Sequence, residues 1–331
     1  MRAVRIEEFG GPEVLVPTEV PDPVPGPGQV LVRIAAAGVN RADALLRAGS
    51  YHRAGRPPLI PGAEAAGTVA ALGEGVTGFR VGQPVIAFNG AESPGYYAEL
   101  AAVSARQVVA LPDGLDPVEA ATLPIAWLSA WYCLRSLARI TAGETVVVKA
   151  AASGVGTAAV QIAAEAGARV VALARSAERA TWAGKFGASD VVDTSRYAGD
   201  GEVEEVLRLT GGRGADVVLD TVGGDSLGRS LRETAHGGRV VSLANVALAP
   251  STLDTRDFYP KNIAILGFQL TNLQLHGGYD PRPDLRELAE RAAAGAYRVP
   301  VETVLPLERA RDAHERLESR DNRGKIVLRV E

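Results

Sequence analysis

The segment TVVVKAAASGVGTAAVQIAAEAGARVVALA, residues 145–174, constrains this chain more than any other. It opens on a near-continuous apolar run, TVVVKA, of the kind a parallel strand covered on both faces requires. Small residues follow, then the helical pattern GVGTAAVQIAAEAGA and a second apolar run, RVVALA. Strand, tight turn, helix and strand in that order make a βαβ unit, whose crossover sets the two strands parallel in one sheet. The alternation continues through KFGASDVVD, ADVVLDTVGG, GGRVVSLANV and NIAILGFQL. Residues 123–296 are therefore expected to form an α/β, doubly wound parallel sheet of Rossmann type.

The remainder reads differently. Over residues 1–122, short alternating segments such as QVLVRIAAAG, AGTVAALGEG and QPVIAF are separated by glycines and by the turn PDPVPGPG, which suits neither a helix nor a central strand. A compact, mostly antiparallel β domain is the expectation there. The tail, residues 297–331, reads as strand, helix and strand and is expected to return to that first domain. A chain of 331 residues has room for two such cores.

Charge and cysteine content narrow the function classes. A net charge of −4, with 35 basic residues spread along the chain, gives no basic face for a nucleic acid. Cys133 is the single cysteine, which excludes an internal disulfide and a cysteine-based structural zinc site. The start, MRAVRIEEFGGPEV, lacks the apolar core of a secretory signal, and the apolar stretch LPIAWLSAWYCL is too short to span a bilayer. A cytoplasmic protein without nucleic-acid or membrane partners is expected.

The turn after the first Rossmann strand carries the chemistry. A dinucleotide needs small residues there, because the backbone itself approaches the pyrophosphate, and a helix whose first amides face it. Two registers of the fingerprint compete in KAAASGVGTAAVQ. The literal one falls on Gly154, Gly156 and Ala159; the relaxed one, on Ala151, Ser153 and Gly156, follows the strand directly and is preferred. Either way Ala151, Ser153, Gly154, Val155 and Gly156 are the expected phosphate contacts. At the end of the second strand, ALARSAERA offers Arg175, Ser176 and Arg179 and no carboxylate where an NAD site would want one. Arginine and hydroxyl groups suit the 2′-phosphate of NADPH, which is the expected cofactor.

With these residues in view, the chain resembles the medium-chain dehydrogenase/reductases, in their zinc-free quinone oxidoreductase (zeta-crystallin-like) branch. GVNRADALLRAGSY, PLIPGAEAAGTVAALGEGVTGFRVGQPV, YYAELAAV, AASGVGTAAVQIAAEAGARVV, GADVVLDTVGG and GKIVLRV carry the resemblance nearly end to end. It implies a β-rich, GroES-like catalytic domain from residues 1–122 and 297–331 beside the Rossmann domain. Zinc-dependent relatives place a cysteine and a histidine where this chain has Asn40 and Ala63, so no metal is expected, and Glu64 is read as a structural carboxylate. The four histidines, His52, His236, His276 and His314, show no ligand spacing and are read as surface or loop residues.

Without a metal to polarise a carbonyl, the reaction implied is hydride addition to a small, electrophilic acceptor that spreads charge by conjugation, a quinone or another α,β-unsaturated carbonyl. Asn40, Asp43 and Tyr51 match polar positions around the family's substrate. Tyr51 resembles a tyrosine able to bond an oxyanion or donate a proton, although Leu45 stands where some quinone reductases carry another tyrosine. Ser129 resembles a residue beside the nicotinamide, with Trp127 near it. Asn245, Gly267 and Phe268 follow strand ends where a Rossmann sheet meets its ligand. Thr194 stands where the family often has a tyrosine near the adenosine phosphate. NIAILGFQL reads as an edge strand through which relatives dimerise, which makes a homodimer the expectation. Alternatives are an enoyl-thioester reductase of fatty-acid or polyketide type and a weakly catalytic NADPH-binding protein.

Overall fold

The computed structural model describes residues 1–52, 55–90 and 94–330. The chain forms two units, Met1–Leu128 with Thr271–Glu331, and Ser129–Leu270.

The second unit is built on a six-stranded parallel sheet. Its strands run, across the sheet, Asp190–Asp193, Arg169–Ala174, Thr145–Val148, Ala215–Asp220, Thr234–Ser242 and Ala264–Gly267. In chain order this is 3-2-1-4-5-6, the doubly wound order of dinucleotide-binding sheets. All four residues of Thr145–Val148 are buried, which is why the strand reads as an unbroken apolar run rather than an alternating one. Val147, Val171, Leu173, Val218 and Val240 form the core around it. The strand stops two residues short of the apolar run, because Lys149 and Ala150 belong to the turn. The last strand, Ala264–Gly267, is an edge with Ala264, Ile265 and Gly267 exposed, as NIAILGFQL suggested.

The first unit is organised by the long strand Gln29–Val39. It pairs antiparallel with Glu64–Leu72, Leu100–Ser104 and Lys325–Arg329, in a sheet continued by Pro84–Phe88 and Val108–Ala110 on one side and Val301–Pro306 on the other. Val30, Val32 and Ile34 alternate into its core, the period-2 pattern of a half-buried strand. The register Ile326↔Val39 brings the end of the chain beside the start of the Arg41–Arg47 helix.

The unit boundaries lie elsewhere than residues 122/123 and 296/297. Leu123–Trp127 forms a π-helical turn against Glu64–Leu72 and Pro84–Phe88, and the amphipathic helix Arg282–Ala293 packs Leu285, Leu288 and Ala289 inward against that turn and Val108–Ala110. Both segments therefore belong to the first unit. Trp127 is buried beside Tyr297, ring centroids 5.0 Å apart, which makes it a core residue.

Candidate functional site

In the second unit the parallel sheet gathers its strand ends along one edge. Ala151 follows Thr145–Val148, Arg175 follows Arg169–Ala174, Asn245 lies just past Thr234–Ser242, and Gly267 closes Ala264–Gly267. Ser153 caps the Gly154–Glu165 helix, its Oγ accepting from the Gly156 amide at 3.0 Å. A Cβ on Gly156 would lie 2.3 Å from the Ala150 carbonyl oxygen and 2.6 Å from Ala151 Cα, so only glycine fits. The helix and the first strand approach closely at this glycine, which belongs to both registers of the fingerprint. Gly154 and Val155 form the first helical turn. The turn fits a dinucleotide: small residues, a capped helix start and a backbone that can be approached closely.

Arg175 is exposed and immediately precedes Ser176, which caps the Ala177–Gly184 helix through its Oγ and the Arg179 amide, 3.3 Å apart. Thr194 Oγ1 donates to the Ala174 carbonyl at 3.3 Å, beside the same strand end. Asn245 is exposed and donates to the Ala249 carbonyl at 2.9 Å. Phe268 stacks on Tyr132, centroids 5.5 Å apart, and Ser129 lies buried three residues before that tyrosine. Asp220, which the sequence reading did not single out, fixes the neighbouring turn: its carboxylate accepts from the Val222 and Gly223 amides at 2.7 and 3.0 Å and from Ser230 Oγ at 2.8 Å.

In the first unit, Asn40 and Asp43 are buried parts of a polar network. Asn40 precedes the Arg41–Arg47 helix, and its backbone amide donates to Asp43 Oδ2 at 2.8 Å, one arm of a capping box. The Asn40 carboxamide donates to Glu64 Oε1 at 2.8 Å and accepts from Lys325 Nζ at 2.6 Å. Lys325 Nζ also reaches Glu64 Oε1 at 2.6 Å and the Val39 carbonyl at 3.1 Å. The other Glu64 oxygen accepts from the Ile125 amide at 2.7 Å. Glu64 is fully buried and thus an internal ion-pair member, its partner now identified as Lys325.

The network extends through Asp43. Tyr97 donates its hydroxyl to Asp43 Oδ2 at 3.3 Å and lies 3.1 Å from His314 Nε2, while Arg47 Nη1 lies 3.2 Å from His314 Nδ1. A guanidinium can only donate, so Nδ1 accepts and Nε2 carries the proton towards Tyr97. Burial, followed by the Arg47 charge, lowers the His314 pKa to about 3 and keeps the ring neutral. Burial raises Asp43 to about 7 against the opposing pull of the Asn40 amide and Lys325. Burial and then Asp43 push Tyr97 well above its ordinary value. His314 is fully buried, which corrects the surface reading; His52, His236 and His276 are exposed.

Tyr51 is half-buried, its amide bonded to the Leu45 carbonyl at 3.0 Å and its ring 4.5 Å from that of His52. Of Asn40, Asp43 and Tyr51, it alone is not enclosed. Among the described residues, no group of three or more His, Cys, Asp and Glu side chains is arranged to hold a metal. None of their helices is long and apolar enough to cross a membrane.

Comparison with known proteins agrees with this architecture. Residues 26–113 match the alcohol dehydrogenase GroES-like domain and residues 154–293 the zinc-binding dehydrogenase family. A quinone oxidoreductase of Lama guanicoe is 33% identical over 334 residues, covering 99% of this chain and 97% of its own. Among solved structures, an NAD-dependent alcohol dehydrogenase superposes with a TM-score of 0.91 at 33% identity over the whole of both chains. The Escherichia coli quinone oxidoreductase complexed with NADPH gives 0.90 at 30% identity, again over both whole chains.

Proposed function

Because the chain belongs to the medium-chain dehydrogenase/reductase superfamily, with quinone oxidoreductases among its full-length relatives, we propose that it is a metal-independent NADPH reductase of quinones or related α,β-unsaturated carbonyl compounds. The observation that carries this reading is the state of Glu64. Its two oxygens are bonded to Asn40, Lys325 and the Ile125 amide, with Asn40 and Ala63 where the resemblance places thiolate and imidazole in zinc relatives. That donor set does not suit catalytic zinc. An acceptor that delocalises charge by conjugation needs no Lewis acid.

NADPH supplies the hydride when bound. The Ala151–Gly156 backbone and the start of the Gly154–Glu165 helix receive its pyrophosphate, and Arg175, Ser176 and Arg179 receive the 2′-phosphate. Asn245, Gly267, Phe268 and Ser129 complete the cofactor contacts in this reading. Tyr51 bonds the oxygen on which charge develops in the acceptor, or protonates its α-carbon. Asn40 and Asp43, enclosed as they are, position the Arg41–Arg47 helix and the segment ending at Tyr51. The exposed edge Ala264–Gly267 pairs with its counterpart in a second copy, giving a homodimer.

The test is consumption of NADPH or NADH in the presence of a quinone, an enone, an enoyl thioester or an unconjugated ketone. Turnover with NADPH and the quinone or enone supports the reading. Preference for the thioester would favour the acyl-chain reductase alternative. Turnover only with the unconjugated ketone, or with NADH in preference to NADPH, would overturn the acceptor or cofactor assignment respectively.

A further inference from the structure

Lys149, directly after the first parallel strand, has no part in the proposed function, yet its side chain is 3% exposed. Its Nζ lies 2.9 Å from Glu233 Oε1 and 2.8 Å from Glu202 Oε1, and the latter oxygen also accepts from Arg229 Nε at 2.8 Å. Burial alone lowers the Lys149 pKa, but Glu233 and Glu202 outweigh it and the net shift is upward, so the ammonium stays charged. Ion pairs this deeply enclosed add little stability over well-packed apolar residues, because desolvation offsets their attraction. Their presence here therefore calls for a reason other than stability.

The next residue supplies one. Ala150 has φ +49°, the left-handed conformation that a residue with a Cβ adopts only under constraint. On one side of it, the Lys149 amide donates to Leu219 in the neighbouring strand at 3.1 Å. On the other, the Ala151 amide donates to Leu173 in the opposite neighbour at 2.9 Å. The Ala150 carbonyl accepts from the Ser153 amide at 2.9 Å and is the atom against which Gly156 packs. The direction of the Ala151–Gly156 turn therefore depends on one strained residue directly after Lys149.

We propose that Lys149, held by Glu233 and Glu202, is a positioning residue for the dinucleotide: anchoring its side chain keeps Ala150 left-handed and presets the turn for a pyrophosphate. This rests on the reading of that turn as the cofactor site. Conformational strain persists only where the surroundings over-determine it. With the side-chain anchor removed, Ala150 relaxes in the free protein and must be strained again on binding, so the loss appears as affinity.

The experiment is titration of the full-length chain with NADPH, with thermal melting recorded on the same samples. Lys149→Met is expected to weaken binding about tenfold, equivalent to about 1.4 kcal/mol. The double variant Lys149→Met/Ala150→Gly should return to within about threefold of the parent, since glycine adopts the left-handed conformation without steric cost. Should Lys149→Met not fold, Glu233→Gln, which removes the charge of one anchor and keeps its size, is expected to weaken binding about threefold and to be rescued by Ala150→Gly. Unchanged NADPH affinity in a folded variant with a lowered melting temperature would overturn the inference, as would a loss that Ala150→Gly does not recover. A parent chain that fails to bind NADPH would instead refute the cofactor reading itself, before any variant is compared.

Discussion

Replacing Lys325 by methionine tests the internal ion pair that it forms with Glu64. Lys325 Nζ donates to Glu64 Oε1 and Asn40 Oδ1, both at 2.6 Å, and to the Val39 carbonyl at 3.1 Å. Glu64 is fully buried, so the substitution leaves its carboxylate facing only two neutral donors, the Asn40 carboxamide and the Ile125 amide. Removing one partner of such a pair costs roughly 3–5 kcal/mol, because the remaining charge stays desolvated. At about 2–4 °C per kcal/mol, the unfolding transition of the first unit should fall by about 6–20 °C in calorimetry. The double variant Lys325→Met/Glu64→Gln removes the stranded charge and should recover more than half of that loss. A single variant that loses less than about 1 kcal/mol, the scale of an exposed ion pair, would refute the reasoning. So would a double variant that costs the sum of the two singles, since the pair would then not be coupled.

Other perturbations read separate parts of the account. Arg175→Ala should weaken NADPH about tenfold to a hundredfold in a binding titration while leaving NADH within about twofold, from the loss of a charge-assisted bond to phosphate; equal losses for both would remove the arginine from 2′-phosphate recognition. Gly156→Val should abolish NADPH binding in a chain that still folds its first unit, since its Cβ would meet backbone at 2.3 Å. Tyr51→Phe should lower kcat by about a hundredfold with KM for NADPH unchanged, and unchanged kinetics would remove it from the reaction. Asp43, raised from 3.8 to about 7, keeps a proton in the folded state that the unfolded chain releases, so its contribution to stability is lost as pH rises across that window. His314, lowered from 6.5 to about 3, acts oppositely, adding stability as pH rises from about 3 to 6.5. Asp43→Asn should therefore gain on the parent by up to about 4 kcal/mol between pH 4 and 7 in urea unfolding; parallel pH profiles would show that Asp43 does not titrate there.

The Rossmann unit was legible because its evidence is local. A strand buried on both faces reads as an apolar run, and a turn that the backbone must enter closely reads as small residues, as Thr145–Val148 and Ala151–Gly156 do. The unit boundaries were less legible. The helix Arg282–Ala293 carries one apolar stripe, and nothing in a stripe says which sheet it will cover. The polar network was hidden for a related reason. Glu64 and Lys325 are 261 residues apart, and Tyr97 and His314 are 217 apart, so only the fold brings them together. The signal available was the tail GKIVLRV, whose one lysine opens the strand Lys325–Arg329 and is buried with the three apolar residues after it. Lys149, at the end of TVVVKA, gave a similar signal: a long cation in an apolar run is anomalous unless something buried receives it.

The central claim is that hydride passes from NADPH to a conjugated carbonyl without a metal. The most direct test is to strip the protein with a chelator, verify the metal content, and measure NADPH-dependent reduction of a quinone before and after. The account predicts an unchanged rate in metal-free protein and no stimulation on adding zinc. A rate that collapses on stripping and returns with stoichiometric zinc would contradict it.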